Sequence, residues 1–143
     1  MTAREILRDA RDAAVAIRDL DRQRRQYESM INASGMLFSA AAMTRDNHSR
    51  VEDVAIKIAD LEADLQSEAS VYLAAIMEAR RLIARVDPTH QRILVLRYLC
   101  GMRWIDISAE FGYHDPKSVY RAHGWALKAA EDAMKAQTRR APR

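Results

Sequence analysis

Apolar residues recur every three or four positions along most of the chain, which is the spacing of one face of an α-helix. The first such run starts at Thr2, and Thr2 and Glu5 have the spacing of an N-terminal capping box. The run extends to about Ile31, where the polar and flexible residues Asn32 and Gly35 interrupt it. The pattern therefore predicts a long amphipathic first helix that ends there.

Residues 33–48 are predicted to form a connector, and the capping-box pair Ser49 and Glu52 is predicted to start the second helix. The apolar positions of that helix form a seam like that of a coiled coil. They are Val51, Val54, Ile58, Leu61, Leu65, Tyr72, Ile76, Leu82, Ile83 and Val86. Such a narrow stripe needs a partner helix. The first helix can fold back on it as an antiparallel hairpin, or two copies of the chain can pair through it, and both arrangements can hold at once.

Three shorter helices follow, and residues suited to helix ends delimit them. Asp before Pro favours a helix start, and Gly favours a helix end. The first is predicted to run from Asp87 to Gly101, the second from Trp104 to Gly112, and the third from Asp115 to about Lys135. We therefore expect an all-α protein with a helical hairpin over residues 1–86. A helix-turn-helix domain is expected over 87–136, and a basic disordered tail over 137–143.

Composition narrows the class of protein. Of the 143 residues, 49% are hydrophobic, which is enough for a packed core. No apolar stretch approaches the roughly 18 residues of a membrane span, and the charged N-terminal segment does not resemble a signal peptide. The single cysteine, Cys100, follows an apolar run and is predicted to be a small core residue in a reducing compartment. These features predict a cytoplasmic protein without membrane contact.

The net charge of +3 is unevenly distributed along the chain. Residues 1–86 carry 13 Lys and Arg against 14 Asp and Glu, whereas residues 87–143 carry 10 against 6. A basic C-terminal third favours a polyanionic partner at that end of the molecule.

The last helix can be divided into faces at 100° per residue. One sector is predicted to pack inward and holds Val119, Ala122, His123, Ala126 and Ala130. The opposite, exposed side combines cations, aromatic rings and a hydroxyl. Its members are Lys117, Ser118, Tyr120, Arg121, Gly124, Trp125 and Lys128.

This exposed side suits duplex DNA. Lys117 and Arg121 lie early enough in the helix to reach base edges in a major groove. Tyr120, Trp125 and Lys128 are better placed for phosphates and sugars, and the N–H groups of the first turn are expected to suit phosphate. On the residues alone, the alternative is a three-helix cap whose outer face is merely solvated.

A family resemblance favours the first of these interpretations. The segment from Leu96 to Ser108, the Phe111–Tyr113 turn and the segment from Val119 to Leu127 resemble the phage-encoded ArpU- and RinA-like late transcription regulators. The Arg97–Tyr98 pair and Trp104 are among its most specific parts. In that family the C-terminal part is similar to the promoter-reading helix-turn-helix of bacterial sigma factors.

The resemblance implies sequence-specific binding of phage promoter DNA, so we expect a phage or prophage regulator in the bacterial host cytoplasm. We expect a homodimer, and the hairpin is expected to set dimerisation or to contact RNA polymerase. The alternatives are a DNA-packaging protein like a small terminase subunit, and a helical interaction module without DNA binding. The four scattered histidines lack partners at metal-ligand spacing, and no phosphate-binding glycine loop is present. We therefore expect no metal, no cofactor and no enzymatic activity.

Overall fold

The computed structural model describes residues 1–40 and 45–141, with side chains throughout these ranges except at 31, 34–40, 45–51 and 54. Every regular element in the described part is helical, so the protein is all-α, as predicted. The helices are α1 (Ala3–Ala40), α2 (Arg45–Ile83), α3 (Pro88–Leu94), α4 (Trp104–Glu110) and α5 (Pro116–Arg140), and a π-helical turn, Val95–Leu99, extends α3.

Local side chains define three of the helix starts, as predicted. The Thr2 backbone N–H donates to Glu5 Oε2 at 2.7 Å, and the Glu5 N–H donates to Thr2 Oγ1 at 3.2 Å. This is a complete capping box. The carboxylates of Asp87 and Asp115 each accept from the backbone N–H two residues further on, at 3.1 and 3.0 Å. Each cap satisfies donors that would otherwise lack a partner at a helix end.

Two glycines end helices, also as predicted. Gly101 and Gly112 have φ angles of +67° and +70°, a left-handed conformation that costs glycine little and other residues more. The short connections after the π-helical turn and after α4 both depend on this conformation.

The predicted ends of the first two helices were wrong. The helical backbone of α1 continues through 32–40, and α2 begins at Arg45, so Ser49 lies inside a helix and does not cap it. The predicted connector is helical over 33–40 and 45–48, whereas residues 41–44 lie outside the described residues. One glycine costs a helix only about 1 kcal/mol, which long flanking helical segments can outweigh.

The predicted disordered tail was also wrong over most of its length. Helix α5 continues to Arg140 and does not end near Lys135. Arg139 and Arg140 lie in its last turn, where positive charge stabilises the helix dipole. Gln137 accepts a hydrogen bond from Arg85 and so attaches this end to the segment after α2.

The π-helical turn changes the direction of side chains after α3. The Cys100 N–H donates to the Val95 carbonyl at 2.9 Å, which inserts one extra residue into the turn. Cys100 is exposed, so its prediction as a core residue was wrong. The insertion shifts the residues beyond it from the face that the α-helical spacing had predicted. Tyr98 is buried within the same turn.

The chain folds as two compact units. Unit 1 comprises residues 1–16 and 72–143, and its core joins the start of α1, the end of α2 and helices α3 to α5. Burying a large apolar side chain contributes about 1.5–3 kcal/mol. The largest fully buried side chains are Leu7, Leu94, Ile107 and Val119. This unit extends across residue 86, because the start of α1 and the end of α2 contribute to the same core.

Unit 2 comprises residues 17–71. Within it, residues 17–24 of α1 and 62–69 of α2 line a common cavity, which includes Leu20 and Leu65. The seam residues of this unit whose burial is described, Ile58, Leu61 and Leu65, are half-buried, whereas the side chains of Val51 and Val54 lie outside the described residues. In the part of the chain that the structure describes, no helix has an apolar stretch long enough to cross a membrane.

Candidate nucleic-acid interface

The connection between α4 and α5 is held by a buried serine. Ser108 is 8% exposed, and its hydroxyl donates to the Tyr113 carbonyl at 3.2 Å. The Tyr113 N–H donates back to the Ser108 carbonyl at 3.0 Å. The left-handed Gly112 permits this reversal. Because both backbone groups of Tyr113 bond to one residue, the direction in which α5 leaves the turn is fixed by α4.

Helix α5 packs against α3 and α4 through the face that the sequence predicted. Val119, Ala126 and Ala130 are buried, and Ala122 and His123 are half-buried. The small alanines allow close approach of the neighbouring helix backbones. The inward sector of α5 is thereby confirmed.

The six candidate DNA contacts lie on the exposed part of the same helix. All are exposed; they are Lys117, Ser118, Tyr120, Arg121, Trp125 and Lys128. Two of them are large aromatic groups left in solvent: Tyr120 is 53% exposed and Trp125 is 59% exposed. Exposed aromatic side chains of this size are common at binding surfaces.

The cations on this surface form no ion pairs with the side chains that the structure describes. Among the described residues, none of Lys117, Arg121 and Lys128 has a carboxylate partner within salt-bridge distance. Gly124 lies between them, and a Cβ placed on it would meet nothing within 4 Å. No contact within the described part of the chain therefore requires glycine at this position. Within the described residues, this surface is therefore open to a binding partner, and its positive charges have no carboxylate partners.

One expectation about this helix was wrong. The first turn of α5 does not offer free N–H groups to a phosphate, because its own N-cap uses them. Asp115 Oδ1 accepts from the Lys117 N–H at 3.0 Å, and the Asp115 carbonyl accepts from the Ser118 N–H at 3.1 Å. Pro116 has no N–H. A carboxylate at this position also repels a phosphate, so phosphate contacts must come from side chains.

A chain of ring contacts connects the exposed face to the interior. Tyr120 meets Trp104 edge to face with ring centroids 5.5 Å apart, and Trp104 meets His123 in the same way at 4.5 Å. The His123 Nε2 atom is 2.6 Å from the Tyr98 hydroxyl, to which it is hydrogen-bonded. His123 of the inward sector is thus half-buried and hydrogen-bonded within unit 1.

Burial, with smaller contributions from the positive charges of Arg97 and Arg4, lowers the pKa of His123 to about 4. The imidazole is therefore neutral at physiological pH. Burial likewise raises the pKa of the Tyr98 hydroxyl. Both groups of the pair are uncharged near pH 7, which suits a hydrogen bond beneath a binding surface.

Arg97 lies on the other side of Trp104. Its guanidinium carbon is 4.3 Å from the Trp104 ring centroid, and its Nη1 donates to the Met102 carbonyl at 3.0 Å. Burial lowers the pKa of Arg97, and repulsion from Arg11 lowers it further. Arg97 is thus fixed in orientation by a ring and a carbonyl, but it has no carboxylate partner among the described residues.

The sequence reasoning missed a group of arginines on α1. Arg4, Arg8 and Arg11 line a cavity together with Arg97, Tyr98, Trp104 and His123. A signal was present, because positions 4, 8 and 11 are spaced i, i+4 and i+7 and so share one helix face.

No family model, curated protein or solved structure matches this chain. In the part of the chain that the structure describes, no group of three or more His, Cys, Asp or Glu residues could hold a metal ion.

Proposed function

We propose that the protein binds duplex DNA in a sequence-specific manner through the exposed face of α5. The observation that carries this proposal is the separation of the helix into two sides. One side packs into the core through Val119, Ala126 and Ala130. The other side presents exposed aromatic rings and cations that have no carboxylate partner among the described side chains. A recognition helix needs this combination, because it must be held firmly while its outer face enters a groove about 12 Å wide.

The exposed residues divide by their position along the helix. Lys117 and Arg121 are one turn apart near its start, where recognition helices contact base edges. The guanidinium of Arg121 can bond to two acceptors of one guanine. Tyr120, Trp125 and Lys128 would contact phosphates and sugars, and the hydroxyl of Ser118 can donate to or accept from either.

The biological role that we propose is regulation of phage or prophage transcription. The resemblance of the C-terminal third to sigma-factor-like regulators supports this role, and so does the basic charge of residues 87–143. The helix-turn-helix then consists of α4, the turn that Ser108 holds, and α5. The long helices α1 and α2 would serve in dimerisation or in contact with RNA polymerase.

A selection experiment tests DNA reading. The full chain is incubated with a random duplex library, bound sequences are enriched, and the affinity for the preferred duplex is compared with that for a shuffled one. We expect the chain to prefer one sequence and K117A/R121A to abolish that preference. Each base-reading contact that is lost should cost about 1–3 kcal/mol of binding free energy. The matched control K57A/R81A removes the same charges from exposed positions on α2 and should retain the preference.

A DNA-packaging adaptor is the second candidate, and a surface on α2 favours self-association in either case. Leu73 and Met77, which lie one helical turn apart, are 50% and 52% exposed. Mass measurement in solution separates the two functions. A dimer supports the regulator that we propose, whereas a ring of eight or more subunits would favour the packaging role. Absence of DNA binding even at low salt would leave only a protein-interaction module.

A further inference from the structure

A small cavity in unit 1 is lined almost entirely by cationic and aromatic side chains. Its volume is about 220 Å³. Sites for drug-sized ligands usually span about 300–1,000 Å³, so this cavity suits a smaller group. The lining residues are Arg4, Arg8, Arg11, Arg97, Tyr98, Trp104 and His123.

The three arginines of α1 that line this cavity have no anionic partners in the described part of the chain. No carboxylate there lies within salt-bridge distance of Arg4, Arg8 or Arg11. The Nε atom of Arg11 is buried and makes no hydrogen bond. An unpaired buried donor is rare in folded proteins and calls for a specific explanation.

The opposite wall of the cavity holds a fourth cation, Arg97, whose side chain is restrained. Arg97 is held by its contact with the Trp104 ring and by its hydrogen bond to the Met102 carbonyl. Burial and the charge of Arg11 both act against its protonated form. Arg11 and Arg97 therefore repel each other across a partly desolvated space. An anion between them would offset that repulsion.

We propose that this cavity binds a phosphate group. Guanidinium groups bind phosphate oxygens in a bidentate manner, and several of them around one cavity match its multiple acceptors and charge. The Tyr98 hydroxyl and the rings of Trp104 and His123 complete a wall with few competing acceptors.

The phosphate has two possible sources. It can be a backbone phosphate of bound DNA, since Trp104 of the cavity touches Tyr120 of the exposed α5 face. That source depends on the proposed function. It can instead be free phosphate or a phosphate monoester, which does not depend on it. A side-chain site of this kind would supply the phosphate contact that the first turn of α5 does not offer.

The first experiment uses inorganic phosphate as the probe. The chain has two tryptophans, so the variant W125F reports Trp104 fluorescence alone. Phosphate is titrated against chloride at constant ionic strength. R8Q/R11Q removes two charges from the cavity, and R22Q/R25Q removes two from exposed positions on the same helix. We expect a saturable change in W125F that R8Q/R11Q weakens at least tenfold and R22Q/R25Q leaves within twofold.

The second experiment measures affinity for duplex DNA against salt concentration, with the full chain and the same pairs of arginine variants. Each phosphate contact adds about 0.9 to the slope of log affinity against log salt. We expect R8Q/R11Q to lower that slope by about 1, for one lost phosphate, while the sequence preference stays unchanged, and R22Q/R25Q to leave the slope unchanged. Should R8Q/R11Q fail to fold, R8Q alone, at an exposed position, repeats both comparisons.

The outcomes separate the two sources. A response only to DNA assigns the site to a backbone phosphate, and a response only to inorganic phosphate assigns it to a free ligand. The proposal is overturned if neither experiment distinguishes the cavity pair from the control pair. If the chain reads DNA through Lys117 and Arg121 and R8Q/R11Q still behaves like its control, the cavity proposal fails and the proposed function stands.

Discussion

The Tyr98 hydroxyl lies 2.6 Å from His123 Nε2, and this pair joins the π-helical turn after α3 to the inward face of α5. The two aromatic rings are also in contact, with centroids 5.7 Å apart. Trp104 packs on the other side of the imidazole. The core beneath the proposed reading face therefore contains a polar contact between two groups that are uncharged at neutral pH.

The depressed pKa of His123 predicts a loss of stability in mild acid. Above its ordinary pKa of 6.5 the group is neutral in both the folded and the unfolded chain. As the pH falls from 6.5 towards about 4, the imidazole of His123 is protonated in the unfolded chain but stays neutral in the folded chain. Folding therefore becomes less favourable. The lowered pKa corresponds to a loss of at most about 3 kcal/mol in the free energy of unfolding. Solvent screening at this half-buried site reduces the expected loss to about 1–2 kcal/mol.

Urea unfolding at pH 7.5 and at pH 4.5 measures this effect. The variant H123Q should be less stable than the wild type at pH 7.5 but should lose less stability between the two pH values. H114Q, which alters an exposed turn residue, serves as the control and should follow the wild type. Equal pH dependence in H123Q and the wild type would show that the imidazole does not carry the effect.

Arg11→Met is expected to raise stability. The substitution removes a buried Nε without a partner and the repulsion with Arg97, while it keeps an apolar stem of similar length. We expect a gain of about 1 kcal/mol in the free energy of unfolding, or about 2–4 °C in Tm. Thermal unfolding checks this, with Arg22→Met at an exposed position expected to change stability by less than about 0.5 kcal/mol. A clear loss of stability in R11M would mean that Arg11 has an internal structural role.

Ser108→Ala is expected to loosen the turn between α4 and α5. The Tyr113 carbonyl would lose its hydrogen bond, and the cost should be about 1 kcal/mol, rising towards 2 if water cannot replace the hydroxyl. Ser118→Ala, at an exposed position on α5, is the matched control and should change stability by less than about 0.5 kcal/mol. Chemical denaturation of both variants measures the difference. Equal stabilities would show that the Ser108 hydroxyl does not stabilise the turn.

Asp115→Asn separates the capping role of this residue from its charge. Asn caps helices about as well as Asp, so stability should change by only a few tenths of a kcal/mol. The loss of a negative charge at the start of the proposed reading helix should strengthen binding to duplex DNA, most clearly at low salt. Fluorescence anisotropy across a range of salt concentrations tests this, and weaker binding by D115N would contradict the proposed orientation of α5.

The parts of the fold that the sequence predicted are those set by neighbouring residues. Asp87, Asp115 and Gly112 act through hydrogen bonds and dihedral angles within a few positions, so their roles can be read from local patterns. The same logic failed at Gly35 and Ser49, where long helical segments outweighed weak local signals. The six exposed candidates on α5 followed from helical periodicity, because burial of one face exposes the other.

The cavity could not be predicted in this way. It forms only when Arg4, Arg8 and Arg11 of α1 meet Arg97 and His123, which lie far along the chain. No periodic pattern within one segment encodes that meeting. The π-helical turn adds a second obstacle, since its extra residue rotates Tyr98 and Cys100 away from the faces that α-helical spacing would assign.

If the outer face of α5 enters duplex DNA, the amide NMR signals of that face should change when DNA binds. Spectra of the full chain with and without its selected duplex measure this change. The account predicts that the largest shift changes fall on residues 117–128, with a further group at the arginines of α1 if the cavity takes a backbone phosphate. Shift changes that spare residues 117–128 while the DNA is bound would contradict the account.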